Sequence, residues 1–576
     1  MMKYCGLIFF IFLFHVASAQ DNVLSSDMDA NRDIERLILL YGNPSKMPWV
    51  DKPLYRSKIY ALALHWDTIV AADNTKDHWK INKLLRDNSE YKALALFQMN
   101  DSLSIAVKVP IEPRKPFVRR ILSNFYQSSA HFYAIDRPDY TIRINPLLSL
   151  NAGIMLSNEP MTFANQRGME LRASIDKKLF IYANILESQS GFPTYVDQYE
   201  SDFQTLPGTA FYKTYNSSGG RLFGYDYLSG EGSIGFKVSK NIGITFGNRR
   251  NFIGDGYRSL LLSDFASNYI NLKIDWSLGP FHYQNIFAEL NAGSNRSNGA
   301  NNAIIPKKYL AAHHLNYSPN SWFRIGIFEN VTFARANHFE FNYLNPFIFY
   351  RSIEGAIGSP DNVQLGLDGS IIPAKGLMIY GQFLVDELKV KELFGKNGWW
   401  GNKYGIQLGL KYKDAFGLKQ LNMLTEFNLV RPYTYSHYDS IANYSHQNQA
   451  LAHPLGANFK ELLLKLQYQI SPRLSVEGNI FYFIKGEDAD SSNFGGNILL
   501  PNSSHISDFG INILQGNRSE TILGRIDLSY EWFHQFYIEA QWIYRVKSYQ
   551  NESNEQMTNS INLGIRWNLP KTRFDF

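Results

Sequence analysis

The chain has almost no cysteine. Its single thiol, Cys5, falls inside an N-terminal segment expected to be removed, so the mature protein is expected to have neither a disulfide nor a lipidated N-terminal cysteine. Long apolar runs are also missing. Past residue 19 no stretch reaches the ~18 residues that a spanning helix needs. Net charge is small, +5 over 576 residues, with Lys and Arg scattered rather than clustered, which argues against a nucleic-acid partner. The chain carries no GxSxG elbow, no HExxH and no Walker-type phosphate loop. Its one adjacent histidine pair, His313-His314, lies in a predicted strand, where the two rings point to opposite faces and cannot share a metal. A spatial Ser-His site leaves no spacing signature. The expectation is a non-enzymatic protein without a cofactor or catalytic metal.

What is abundant is aromatic: 35 Tyr and 40 Phe, with aromatics at 15%, apolar residues at 45% and charged residues at 19%. The mean hydropathy of −0.26 is too polar for a helical membrane protein. Met1 to Ala19 has the form of a signal peptide, with Lys3, an apolar core from Leu7 to Val16, and Ala17-Ser18-Ala19 before Gln20. Cleavage after Ala19 and export are expected.

The clearest pattern is near the end of the chain. Ile561, Leu563, Ile565, Trp567 and Leu569 alternate with Ser560, Asn562, Gly564, Arg566 and Asn568, one face wholly apolar and the other wholly polar. The same alternation recurs from Tyr140 onward, giving about eighteen strands from 140–154 to 556–568. Two of them, Phe180 to Leu186 and Phe323 to Phe333, carry apolar residues on both faces. Every second connection is tight, such as Leu278-Gly279-Pro280 and Ser471-Pro472-Arg473. Most of those between are long, notably 191–228, 337–360, 431–457 and 486–519. A sandwich has no reason to alternate this way, whereas an outer-membrane barrel has short periplasmic turns and long outer loops. The predicted fold is therefore all-β, a transmembrane outer-membrane β-barrel of about 18 antiparallel strands over 137–576. Both termini would be periplasmic. Phe574-Asp575-Phe576, directly after the last strand, resembles the terminal signal of bacterial outer-membrane barrels.

Residues 20–136 differ from the rest. Asp33 to Leu40 is a short predicted helix capped by Asn31 or Asp33 and stopped by Gly42, and Trp79 to Arg86 is a weaker one. Leu94 to Val109 has strand-like pieces, and Pro110, Pro113 and Pro116 mark a linker. This is a small periplasmic α/β domain or plug, or else a partly ordered extension.

Three polar-aromatic stretches stand out: Asn248 to Ser263, containing Arg249, Arg250, Asp255, Tyr257 and Arg258; Phe341 to Arg351 followed by Gly358 to Asp368; and Gly398-Trp399-Trp400-Gly401. The first two, with Arg167-Gly168-Met169-Glu170-Leu171, resemble the Wzi-type capsule-assembly family, and more closely its Bacteroidetes branch that includes the gliding-motility protein RemB. The resemblance covers roughly Pro116 onward. It implies an eighteen-stranded outer-membrane barrel that binds or anchors surface capsular polysaccharide, or supports gliding, without catalysis. The alternative is a solute channel. Implied partners are outer-membrane lipid and lipopolysaccharide, surface polysaccharide, the barrel-assembly machinery, and motility or export proteins.

On the functional reading, Trp399 and Trp400 stack on sugar rings while Arg249, Arg250, Asp255, Tyr257 and Arg258 supply polar contacts. On the structural one, the tryptophans are girdle or plug core, and Arg249, Arg250 and Arg258 pair with Asp255, Asp361 and Asp368 to hold a plug.

Overall fold

The computed structural model describes residues 23–24, 29–44, 49–92, 126, 128, 130–156, 160–176, 178–216, 223–239, 241–296, 305–335, 338–347, 349–358, 361–395, 397–489, 491–550 and 555–576. The expected signal segment and the stretch from Leu94 to Pro116 lie outside these residues.

Along the strand Asn517–Phe533, Ile522 and Ile526 are about half exposed (47% and 45%) while Arg525 and Asp527 between and beside them are buried at 3% and 4%. That is the inverse of a water-soluble protein, and it fits a wall with lipid outside and a polar interior. The wall is a closed barrel of eighteen long strands. They are β1 (Tyr140–Met155), β2 (Thr162–Ile175), β3 (Leu179–Gly191), β4 (Phe223–Ser239), β5 (Ile242–Arg249), β6 (Tyr269–Leu278), β7 (Phe281–Asn291), β8 (Lys307–Tyr317) and β9 (Phe323–Phe333). The second half comprises β10 (Asn362–Ala374), β11 (Leu377–Glu387), β12 (Lys403–Lys413), β13 (Leu421–Val430), β14 (Phe459–Gln469), β15 (Leu474–Glu487), β16 (Asn517–Phe533), β17 (Phe536–Tyr549) and β18 (Gln556–Trp567). Each runs antiparallel to the next. The barrel closes where β18 returns to β1, with Ser560 opposite Met155 and Trp567 opposite Leu148.

The sequence reading of the wall holds, strand for strand, and the alternation of short and long connections is present. Both strands with apolar residues on two faces have a reason. Phe180 of β3 turns inward onto a helical core. On β9, Phe328 packs inward against the Leu260–Leu262 cluster, while Val331 and Phe333 are covered from outside.

Residues after Trp567 do not continue the wall. Leu569, expected on the lipid face, is 8% exposed and turned inward. The chain re-enters the lumen, where Phe576 packs against Tyr199 and Phe574 against Phe192, with ring centroids 5.0 Å apart in each case. The Arg525 guanidinium pairs with Asp575, and Arg545 Nε donates to the Phe576 carbonyl at 3.2 Å. The terminal aromatic is thus a luminal packing residue, and the last aromatic of the wall is Trp567.

The N-terminal segment fills the short-turn end of the barrel with three helices, α1 (Ala30–Tyr41), α2 (Arg56–Ile69) and α3 (Thr75–Asp87). α1 begins three residues before the predicted Asp33, with Asp29 at its N-cap position, and stops at Gly42, whose φ of 89° favours glycine. α3 is capped by Asn74, which accepts from the Asp77 N–H. α2 was not predicted; its N-cap position is Tyr55, which offers no capping side-chain bond. Leu37, Ile59, Ala63, Trp66 and Ile81 form a shared apolar core.

Charge fixes this helical body to the wall. Arg36 donates to Asp77 at 3.0 Å, Asn422 at 2.9 Å and Asp414 at 2.8 Å. Glu35 meets Lys413 at 2.6 Å and also pairs with Lys411. Lys80 reaches Gln420 at 2.7 Å, and Arg566 reaches Asp29 at 3.0 Å.

Candidate functional site

The connection between β5 and β6, residues 250–268, enters the lumen. Its backbone is met by side chains from the far wall. Glu426 accepts from the N–H groups of Tyr257 and Arg258 at 2.8 and 3.1 Å, Gln382 from that of Leu260 at 2.7 Å, and Gln407 donates to the Arg258 carbonyl at 3.1 Å. The approach is close enough to require glycine. A Cβ on Gly256 would sit 2.5 Å from the Glu426 carboxylate, and one on Gly254, where φ is 143°, 2.4 Å from Gln382. Leu260, Leu261 and Leu262 are then fully buried. Tyr435 and Tyr444, from the 431–458 connection, donate to the carbonyls of Leu260 and Leu261 at 2.8 and 2.7 Å.

The sequence candidates in this segment are luminal, but their ion pairs are not those expected. Arg249 and Arg250 approach Glu231 at 3.5 and 3.8 Å, and Arg249 also lies over the Tyr182 ring at 4.6 Å. Arg258 pairs with Glu461 at 3.0 Å. Asp255 and Asp368 share Arg324, and Asp361 belongs to Arg335. The expected pairing of Arg249, Arg250 and Arg258 with Asp255, Asp361 and Asp368 is therefore corrected. The carboxylates that hold the arginines come from wall strands β4 and β14, and strand sequences offer many equivalent acids.

A cavity of about 480 Å³ lies between the N-terminal helices, this segment and the 568–576 tail. Arg250, Tyr257 and Arg258 line it together with Lys52, Glu231 and Lys465, whereas Arg249, Asp255 and the two tryptophans do not. Lys52 stands 4.7 Å from the centre of the Phe252 ring, and burial pushes its ammonium below the usual range.

Trp399 and Trp400 lie on the β11–β12 connection at the long-loop end. Trp399 folds over Gly401, where an added Cβ would meet its ring at 2.5 Å, and is 8% exposed beneath Lys389, whose Nζ is 4.1 Å from the ring centre. Trp400 is half-buried. It stacks on His505 at 4.2 Å and 16°, meets Tyr433 edge-on at 6.2 Å, and donates its backbone N–H to the Asp508 carbonyl at 3.0 Å. His505 is oriented in turn by Asp508 at 2.8 Å and the Asn502 carbonyl at 2.7 Å. His505, Tyr433 and Asp508 were not singled out by sequence reasoning. They come from two other connections, and no local spacing links them to the Trp pair. An aromatic stack flanked by amide and carboxylate groups can take the apolar face of a ring and hydrogen-bond its substituents.

No family model matches the chain, and no curated protein matches it. Among solved structures it is similar to Wzi, described as an outer membrane protein involved in group 1 capsule assembly in Escherichia coli and as a carbohydrate-binding beta-barrel. The TM-score is 0.52 at 13% identity, over 97% of this chain and 100% of that one. The chain has the Wzi fold. Lower similarity is found to OccAB2 of Acinetobacter baumannii (TM-score 0.43, 10% identity, 74% of this chain and 97% of that one) and to OprD of Pseudomonas aeruginosa (0.40, 9%, 74% and 94%). The eighteen-stranded wall implied by the Wzi resemblance is thus present.

Proposed function

We propose that this protein is a non-enzymatic outer-membrane barrel that binds surface polysaccharide at its long-loop end. The observation that carries this reading is the Trp400–His505 stack, with Tyr433 edge-on to it, above a lumen occupied at one end by three helices and towards the other by the 250–268 segment. A binding protein tolerates a filled lumen, whereas a solute channel needs a continuous path. That Wzi is a carbohydrate-binding barrel of the same fold supports the reading. The long-loop end then faces the cell exterior and the helices the periplasm, after removal of the signal segment. Lipopolysaccharide and the barrel-assembly machinery are the partners that insertion requires, and attachment to a gliding apparatus is the motility form of the same anchoring role.

The test is a Trp400→Ala/His505→Ala double variant in the native host, scored for barrel assembly, retained surface polysaccharide and gliding. Assembly unchanged with polysaccharide lost is expected. Undiminished retention removes the stack from the site. Steady single-channel conductance of the unaltered protein in planar bilayers would favour the solute channel instead.

A further inference from the structure

In the connection between β9 and β10, the described residues 338–347 and 349–358 lie over the outside of the wall. The base of this connection is clamped by Arg335, which donates to Asp361 at 2.8 and 2.5 Å, and Tyr343 donates to the same carboxylate at 2.7 Å. Farther along, the Pro346 carbonyl accepts from Tyr283 and from Asn285, and the Phe347 ring lies 5.9 Å from Trp276. The helix α4 (Tyr350–Ile357) begins by stacking Tyr350 on His313 at 4.5 Å and 21°.

Strand parity identifies the face being covered. His314 meets Asp51 of the N-terminal segment inside the lumen at 2.6 Å, so its neighbour His313 points outward. Register places Asn285 opposite His313 and His313 opposite Glu329, one polar row across the outer face of β7, β8 and β9. The adjacent outward rows are Phe287–Ala311–Val331 and Tyr283–Leu315–Ile327. Polar groups facing lipid are costly and must be satisfied within the protein or by something bound to it.

Glu329 is satisfied: it accepts from His313 Nε2 at 2.8 Å and from the N–H groups of Tyr350 and Arg351 at 3.0 and 3.3 Å. Three other atoms in the seam are not. Among the described residues Asn285 Oδ1, His313 Nδ1 and Tyr350 Oη have no hydrogen-bond partner, although Asn285 and Tyr350 are fully buried and His313 is 9% exposed. The strands behind them are paired without a break from β6 to β10, which closes them off from the lumen and leaves the flap and the membrane on their other side. There the flap presents Phe341, Phe347 and Phe349, the first two more than 70% exposed.

We infer that the seam between this flap and the outer wall is a binding site for a membrane amphiphile with a neutral hydroxyl- or amide-bearing head, its chains lying along Phe341, Phe347 and Phe349. In the neutral ring, with Nε2–H donating to Glu329, His313 Nδ1 accepts, as does Asn285 Oδ1, so a hydroxyl or amide N–H fits and Tyr350 donates in return. Among the described residues no Lys or Arg side chain bonds to this polar row. Arg351, the cation beside the seam, is directed to Glu354 at 2.6 Å and is exposed, and the Glu329 carboxylate already takes three donors.

The experiment uses the purified full chain in phosphatidylcholine vesicles, with two photoreactive probes of equal chain length, a dodecyl maltoside and a dodecylphosphocholine. Labelled peptides are mapped by mass spectrometry. The maltoside is expected to concentrate on 338–358 and on β7–β9, displaced by unlabelled dodecyl maltoside, while the phosphocholine spreads over the whole belt. Tyr350→Phe, which removes one hydroxyl only, and Asn285→Leu should each reduce that enrichment about fivefold, the loss of one hydrogen bond, with heat-modifiable barrel unchanged. Even labelling by both probes, or enrichment that both variants leave intact, overturns the site. The first outcome points to water on the orphan atoms, the second to capture by the phenylalanines alone.

Discussion

Asp51 and His314 meet at 2.6 Å inside the barrel, one from the N-terminal helical segment and the other from β8. The same carboxylate also takes His282 at 3.0 Å and Asn316 at 2.7 Å, so a single residue ties the helices to two wall strands. Burial would raise the Asp51 carboxyl, but His314 and His282 outweigh it and hold the group well below the usual carboxylate range. Asp51→Ala leaves buried polar groups without their partner and should weaken docking of the helices by about 3–5 kcal/mol. Native-state hydrogen exchange across α1–α3 reads this directly. Protection equal to the parent's would show that the contact is not part of what holds the segment.

Acid should release another tie. Burial raises the Glu35 carboxyl, yet Lys411 and Lys413 outweigh it and hold it at about 2, below its ordinary 4.5. A depressed carboxylate stabilises the docked state fully above pH 4.5, and the contribution disappears as pH falls through about 2. It amounts to about 3 kcal/mol. Helix protection should therefore fall over that window, and Glu35→Gln should flatten the dependence. An identical acid profile in the variant would assign the effect elsewhere.

The faces of β18 can be checked by charge. Leu563 is the most exposed apolar residue of that strand at 64%, while the neighbouring Asn562 accepts from Thr162 at 2.6 Å on the inner side. Leu563→Arg places a cation in lipid at about 2–4 kcal/mol if it lies near the midplane. Asn562→Ala loses one hydrogen bond, about 1 kcal/mol. Heat-modifiable folded barrel should drop sharply in the first variant only.

Trp399 and Trp400 should separate. Trp399→Ala empties a packed position and is expected to cost about 3 kcal/mol or more of local stability, seen as faster proteolysis of the 388–402 connection. Trp400→Ala should leave that connection resistant. Equal sensitivity would mean that both rings are packing residues.

The wall was legible because a barrel strand repeats one rule, apolar out and polar in, at period two. Even the two strands that broke the rule, β3 and β9, broke it where another part of the chain covers the wrong face. α1 was legible in part from Asp33 and Gly42, and α3 only as its second half, Trp79 to Arg86, because its cap Asn74 went unread. α2 was not, since Tyr55 gives no start signal. The stretch from Asn248 to Ser263 was visible as unusual, but its place in the lumen depends on Gln382, Gln407 and Glu426, each on a different strand. For the same reason Arg249, Arg250 and Arg258 were assigned the wrong carboxylates. The alternation was carried two residues too far, through Asn568 to Leu569, past the end of the wall at Trp567.

The ties of the helical segment are spread around the barrel. Asp51 holds β7 and β8, Glu35 and Arg36 hold β12, β13 and the turn between them, and Asp29 holds β18. A stopper hinged at one edge could swing aside by breaking the contacts opposite. One fastened on several sides offers no such axis. Force applied to the helices from the short-turn end would load all the fastenings together, and they would give way in a single event. Mechanical unfolding should accordingly record one large rupture rather than a staircase of small ones.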